Sequence, residues 1–293
     1  MGGVSGSSGQ AGAGGAGGSV AAPRRGLYVS LYTDHNGQIA FTGPLDPYRN
    51  IVGDLVKEQH VLDYISAHGI NAISLYDLGT INDTPGKNAA LASFMGRARK
   101  AGVQSIEAVS SQSTALSDTI ASFHQTQAPF DGIVTEIEFW NGGVVADATS
   151  ALSYLQAKKL KRMDGSPLSY GSYLGWVKDT DITALVPYVD RLYLHAYVTQ
   201  PSLAYDYVAM RAKAVATANA ALGKDVEVVP IYSAEGVQWS AGAEHFMGDW
   251  LATGSLDVAE TTFRDAWTTK APAKLRLGGF QYFEYFFLAQ YLP

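Results

Sequence analysis

The chain has 293 residues and no cysteine. Disulfides, thiolate nucleophiles and cysteine-ligated metals are excluded together. Charge is sparse as well: Asp, Glu, Lys and Arg make up 16% of the residues, with 27 acids against 21 bases and a formal net charge of −6. No run rich in Lys or Arg breaks this pattern, so there is no basic field for a phosphate backbone and nucleic acid is not an expected partner. Nowhere do about 18 apolar residues follow one another, which leaves no candidate for a bilayer-spanning helix. The six histidines, His35, His60, His68, His124, His195 and His245, show neither HxH nor HExxH spacing. A GxSxG elbow and a phosphate-binding loop are also missing, so no metal and no cofactor are expected. What the chain does have is a hydrophobic fraction of 47%, enough for one large core, and 17 tyrosines.

Residues 1–23 stand apart from the rest. From Met1 to Ala22 the chain is almost wholly Gly, Ser and Ala, a composition that behaves as a flexible coil with nothing to bury. A charged start and an apolar h-region are lacking, and Gly6 stands where a myristoylation signal needs Ser or Thr. We expect a disordered tether of the kind that follows a lipoprotein anchor, with the anchor itself removed, or else an artificial linker. The first reading implies a secreted, periplasmic or surface-tethered protein.

From Arg24 onward, short β-branched or aromatic runs alternate with helical stretches, the pattern of βα units and a parallel sheet. Strands are predicted near Leu27–Tyr32, Asn71–Tyr76, Val103–Val109, Gly132–Glu138, Leu168–Tyr173, Arg191–Tyr197, Val226–Ser233 and Gly278–Glu284. Helices fit at Val56–His68, Asn88–Lys100, Thr149–Lys161 and Tyr205–Leu222, three of them stopped by Gly69, Gly102 and Gly223. Eight strands in residues 24–293 give the size of a single-domain α/β protein, a (β/α)8 barrel. A doubly wound open sheet is the competitor. It would be favoured by a glycine-rich turn after the first strand, where Thr33-Asp34-His35-Asn36-Gly37 stands instead.

A barrel carries its site at the carboxyl ends of its strands. The fourth strand region runs Asp131-Gly132-Ile133-Val134-Thr135-Glu136-Ile137-Glu138-Phe139-Trp140. On a continuous strand Glu136 and Glu138 leave the same face, about 6–7 Å apart along it. Two acids pointing into a barrel mouth repel when both are ionised, which holds a proton on one of them for acid catalysis.

The segment Asp131 to Glu138 resembles the fourth-strand signature of family 18 glycoside hydrolases, the chitinases and endo-β-N-acetylglucosaminidases, with Glu138 in the place of the catalytic acid. Gly26-Leu27-Tyr28-Val29-Ser30 is similar to that family's first strand, His195-Ala196-Tyr197 to its sixth, Val229-Pro230-Ile231-Tyr232 to its seventh and Gly278 to Phe283 to its eighth. The resemblance implies cleavage of β-linked N-acetylglucosamine in chitin-like polymers or N-glycan cores by a substrate-assisted retaining mechanism. Glu138 would be the general acid, Glu136 would hold the 2-acetamido group, and Tyr197 would be its hydrogen-bond partner. The chain departs from the pattern at Val134 and Glu136, where the family usually has acids, the latter an Asp, and at Val198, where an acid or amide usually follows the tyrosine. Family 85 endoglycosidases have an amide two residues before the catalytic Glu, where Glu136 stands here.

Two other readings stay open. Glu235, just past the seventh strand, pairs with Glu138 as nucleophile and acid/base in a retaining glycosidase that needs no acetamido group. The changed acids also fit a non-catalytic carbohydrate-binding barrel. In all cases the partner is an oligosaccharide or polysaccharide and the chain is expected to be a monomer. Sugar rings stack on aromatic faces and hydrogen-bond to tyrosine hydroxyls. The expected substrate-binding set is therefore Asp131, Tyr32, Tyr76, Trp140, His195, Tyr232, Glu235, Gln281 and Tyr282.

Overall fold

A computed structural model describes residues 23–31, 50–111, 114–236 and 246–293. Nearly all of the expected tether, and Tyr32, lie outside these residues. Eight strands close into a parallel barrel in chain order: β1 (Arg25–Val29), β2 (Ala72–Leu75), β3 (Ser105–Ser110), β4 (Gly132–Thr135), β5 (Ser169–Leu174), β6 (Arg191–His195), β7 (Glu227–Ser233) and β8 (Phe280–Phe283). Each pairs with the next, and β8 returns to β1 through Gly26↔Gln281. All eight predicted strands are there, and the open sheet is excluded by closure.

Helices lie between strands: α1 (Leu55–Ala67), α2 (Leu78–Asp83), α3 (Lys87–Lys100), α4 (Thr114–Thr126), α5 (Val145–Ala157), α6 (Asp179–Leu185), α7 (Pro201–Leu222), α8 (Gly248–Leu251), α9 (Leu256–Lys270) and α10 (Tyr285–Tyr291). The four predicted helices appear as α1, α3, α5 and α7, with α5 starting four residues earlier than its predicted Thr149 start. Helix α9 was passed over although its signal is in the sequence. Leu256, Ala259, Phe263 and Trp267 recur at helical spacing and are buried, and Ser255 caps the start by accepting from the Val258 N–H. Among the described residues no helix is long and apolar enough to cross a membrane.

The barrel interior is filled rather than hollow. Tyr28, Val109, Val134, Tyr173, Tyr193, Val229 and Ile231 form an inner cluster separate from the core between sheet and helices. Toward the amino-terminal end the filling turns polar around Glu107, which meets Arg24, Arg191, Ser74 and Tyr193. Glycine makes room for these side chains. A Cβ on Gly171 would lie 2.6 Å from the Tyr193 ring, and one on Gly26 would overlap the Gln281 amide. With this end filled, the carboxyl ends of the strands are where a barrel carries its site.

Candidate functional site

The alternation of side chains along each strand decides which residues reach the mouth. On β4, Val134 belongs to the inner cluster, and Glu136 two residues later continues in the same direction. The last ladder bond is donated by the Glu136 N–H to the Ser110 carbonyl at 2.9 Å. The strand itself therefore ends at Thr135, short of the predicted Glu138. Beyond it, residues 139–141 form a 3-10 turn with Glu138 in the capping position, exposed, and Asn141 Nδ2 donates to Glu138 Oε2 at 2.8 Å. The expectation that both acids project from one strand face is thus corrected. Glu136 enters the barrel and Glu138 stands on its rim, because pairing with β3 and β5 stops before the second acid.

Around Glu136 the tyrosines converge. The Tyr76 hydroxyl lies deep in the barrel, its pKa raised first by burial and then by the charge of Glu136. Tyr28 sits beside it, ring centroids 5.3 Å apart, fully buried and likewise raised by burial first and Glu136 second. Tyr173 and Tyr197 share a hydrogen bond of 2.9 Å between their hydroxyls. The Tyr197 hydroxyl is raised by burial, eased by Tyr173, and raised further by Glu235, Glu136 and Glu138 in that order. One hydroxyl thus lies within the field of all three carboxylates named from the sequence. Glu235 is held just past β7, where Ser233 Oγ donates to its Oε2 at 2.8 Å.

One wall of the mouth is aromatic. His195 stacks on Tyr197 with ring centroids 4.0 Å apart at 11°, meets Tyr173 at 4.4 Å, and has Trp140 edge-on at 6.1 Å. Trp140, carried by the 3-10 turn, lies so close to Gly175 that a Cβ there would be 2.7 Å from its indole nitrogen. The His195 pKa is pushed down to about 3, by burial and then by the Arg211 charge, so the ring is neutral at ordinary pH. Its Nε2 is buried with no hydrogen-bond partner among the described residues. The unfolded histidine, near 6.5, takes up a proton that the folded one refuses, so His195 weakens the fold as pH falls from 6.5 toward 3. A His195→Gln variant is expected to lose less stability than wild type between pH 7 and pH 4.5 in paired denaturant titrations. An equal loss would contradict a histidine buried neutral.

Four predicted site residues lie elsewhere. Tyr232 and Tyr282 face outward, since Ile231 and Phe283 take the inward positions. They pack between sheet and helix, with Tyr232 against Phe263 and Phe280, and Tyr282 donating to Glu260 on α9. Gln281 does face inward but at the plugged end, where it donates to Ser74 and accepts from Arg24. Asp131 precedes β4 at that same end and accepts from Arg99 Nη1 and the Ile106 N–H, both at 2.8 Å. The mouth gathers Tyr76, Glu136, Glu138, Trp140, His195, Tyr197 and Glu235.

Two contributors were missed. Tyr173 is at the inward end of β5. Arg211 of α7 is buried and donates to the Leu174, Gly175 and His195 carbonyls, tying together the ends of β5 and β6. It falls on the stripe Ala204, Val208, Ala212 and Val215, where a lone arginine at a core position is the signal. Among the described residues no group of three or more His, Asp or Glu side chains could hold a metal ion.

Comparison with protein-family profiles and with curated proteins finds no match. Solved structures share the architecture. A xylanase and alpha-amylase inhibitor protein from Scadoxus multiflorus aligns at TM-score 0.51 with 13% identity, covering 92% of this chain and 96% of that one. A chitinase from Ipomoea carnea aligns at TM-score 0.50 with 13% identity, covering 90% and 96%. A homocysteine methyltransferase from Escherichia coli aligns at 0.44 with 11% identity, covering 92% and 96%. At such identities the shared property is the barrel, which hosts many chemistries.

Proposed function

We propose that the protein is a glycoside hydrolase acting on β-linked N-acetylglucosamine, with Glu138 as general acid and Glu136 as the group that orients the 2-acetamido function. The observation that carries this reading is Glu136 entering the barrel two residues past the inward Val134, toward the tyrosines Tyr28, Tyr76 and Tyr173, with Glu138 beside it on the rim. A glycosidic bond lying across the rim would have a proton donor at Glu138. The acetamido group would reach inward to Glu136, where a carboxylate stabilises positive charge developing on the ring it closes. Trp140, half-buried at the rim beside His195 and Tyr173, offers a sugar face an apolar surface.

The reading is tested by product release from chitooligosaccharides and from high-mannose and complex N-glycans. Binding without release on every member of the panel would replace it with a carbohydrate-binding barrel. A second enzymatic reading is favoured by one observation: Glu235 follows β7 at the carboxyl ends of the strands, the same end of the barrel as Glu138. Substitution separates the two. With acetamido participation, Glu136→Gln lowers turnover at least 100-fold while glycan binding persists, and Glu235→Gln changes it by less than ten-fold, effects within the range of positioned catalytic groups. A thiazoline mimic of the cyclised intermediate then binds more tightly than substrate. Loss of activity in Glu235→Gln with azide rescue as a glycosyl azide, and no inhibition by the thiazoline, would instead make Glu235 the nucleophile.

A further inference from the structure

Glu138 borders more than the mouth. On its outer side a groove of about 700 Å³ opens between the start of α4, the 139–141 turn and α5. That volume is in the range of small-molecule sites. Its walls carry Ser117 from α4, Asn141 from the turn, and Asp147, Ser150 and Tyr154 from α5, over a base of Ile137, Phe139 and Ala151. The polar groups are hydroxyls, an amide and two carboxylates, counting Glu138. Among the described residues no lysine or arginine lines the groove, and Lys158, a nearby cation, is engaged with Asp118 and the Tyr154 ring. An anionic ligand would meet unopposed negative charge in this groove. A neutral, hydroxyl-rich ligand would meet donors and acceptors above an apolar base, the pairing that a sugar with polar edges and C–H faces matches.

The two spaces meet at one residue. Glu138 lines the groove, and it stands two residues beyond the inward-pointing Glu136, where the chain leaves β4 at the mouth. A general acid must reach the oxygen that joins the two halves of its substrate. We infer that the groove between α4 and α5 holds the leaving-group half of a neutral oligosaccharide, with the other half in the barrel mouth and the scissile bond over Glu138. This rests on the glycosidase reading above. It makes the protein one that can take sugar units on both sides of the cleaved bond, since a groove open at the rim accepts a continuing chain.

The test fills the groove without touching Glu138 or the mouth. Ser150 and Thr114 are exposed on opposite walls, so Ser150→Trp and Thr114→Trp leave the core intact. Each variant and the wild type are assayed for kcat/KM on chitohexaose and on 4-methylumbelliferyl chitobioside, whose small phenolic leaving group has no sugar to place in the groove. The expected result is a fall of ten-fold or more on chitohexaose with less than a two-fold change on the aryl glycoside, in either variant whose melting temperature matches wild type. Equal effects on the two substrates, or none, would overturn the groove assignment and leave the glycosidase reading standing. A wild type that cleaves neither substrate, nor any member of the glycan panel, would overturn both.

Discussion

Replacing Glu138 by Gln is expected to lower turnover on the cognate glycan by 10²–10⁴-fold, the usual contribution of a positioned general acid. The expectation depends on the substitution being silent in the fold, and the rim position makes it so. The side chain is exposed and makes no capping hydrogen bond to the three-residue turn that follows it. Asn141 Nδ2 donates to one carboxyl oxygen, which a glutamine carbonyl replaces in the same place. Exposed substitutions of this kind usually change stability by less than about 0.5 kcal/mol. The other carboxyl oxygen, Oε1, is left to carry the transferable proton, and the amide has no equivalent of it. Glycan binding measured by calorimetry should be retained, so the loss falls on kcat. Turnover at or above a tenth of wild type would remove Glu138 from the chemistry and would pass the role of acid to Glu136 or Glu235.

What could be read in the sequence, and what could not, divides along a physical line. Strand positions were legible because each β-branched or aromatic run is short and bounded, and eight such runs in about 270 residues match one barrel. Glu136 was expected to point inward, and it continues two residues beyond Val134 of the inner cluster. Tyr232 and Tyr282 were misplaced because strands of a parallel barrel are buried on both faces, so hydrophobicity does not say which parity points to the axis. Ile231 and Tyr232 look equally like core in the sequence, and only the neighbouring strands decide between them. Height along the axis was equally hidden. Gln281 has the inward parity yet lies at the plugged end with Ser74 and Arg24, because strand register is fixed by pairing rather than by the strand's own residues. The end of β4 at Thr135 has the same origin. Glu138, expected to point into the mouth from the strand, is instead a rim residue that borders a groove no motif announced.

The plugged end carries the other large effect. Glu107 is almost completely buried on β3, and its two oxygens accept from four side chains, the Tyr193 hydroxyl being shared between them. Arg24 Nη2 at 2.8 Å, Ser74 Oγ at 3.0 Å and the Tyr193 hydroxyl at 2.9 Å reach Oε2. Arg191 Nη1 at 3.3 Å and the same hydroxyl at 3.0 Å reach Oε1. Removing the carboxylate leaves Arg24 inside the barrel end without its anion, and Arg191 with Glu227 alone. Breaking a buried ion pair from one side costs about 3–5 kcal/mol, a large share of the roughly 5–15 kcal/mol that holds a domain folded. Glu107→Ala is therefore expected to lose about that much in urea unfolding, and a loss under about 1 kcal/mol would show that the cluster is solvated rather than sealed. The pH dependence has a definite sign. Burial alone would raise the Glu107 pKa, but Arg24 and Arg191 outweigh it and hold the carboxylate below its ordinary value of 4.5. A folded pKa below the unfolded one gives stability that is complete above about pH 4.5 and fades as pH falls through the folded value. Wild type should thus lose stability more steeply than Glu107→Ala below pH 4.5, and parallel curves would contradict the assignment. Because this cluster sits at the end of the barrel opposite Glu138, the folded fraction of Glu107→Ala should keep the wild-type kcat. A fold lost at one end of the barrel with turnover intact in the molecules still folded, against turnover lost at the other end with the fold intact, is the pair of results that this architecture requires.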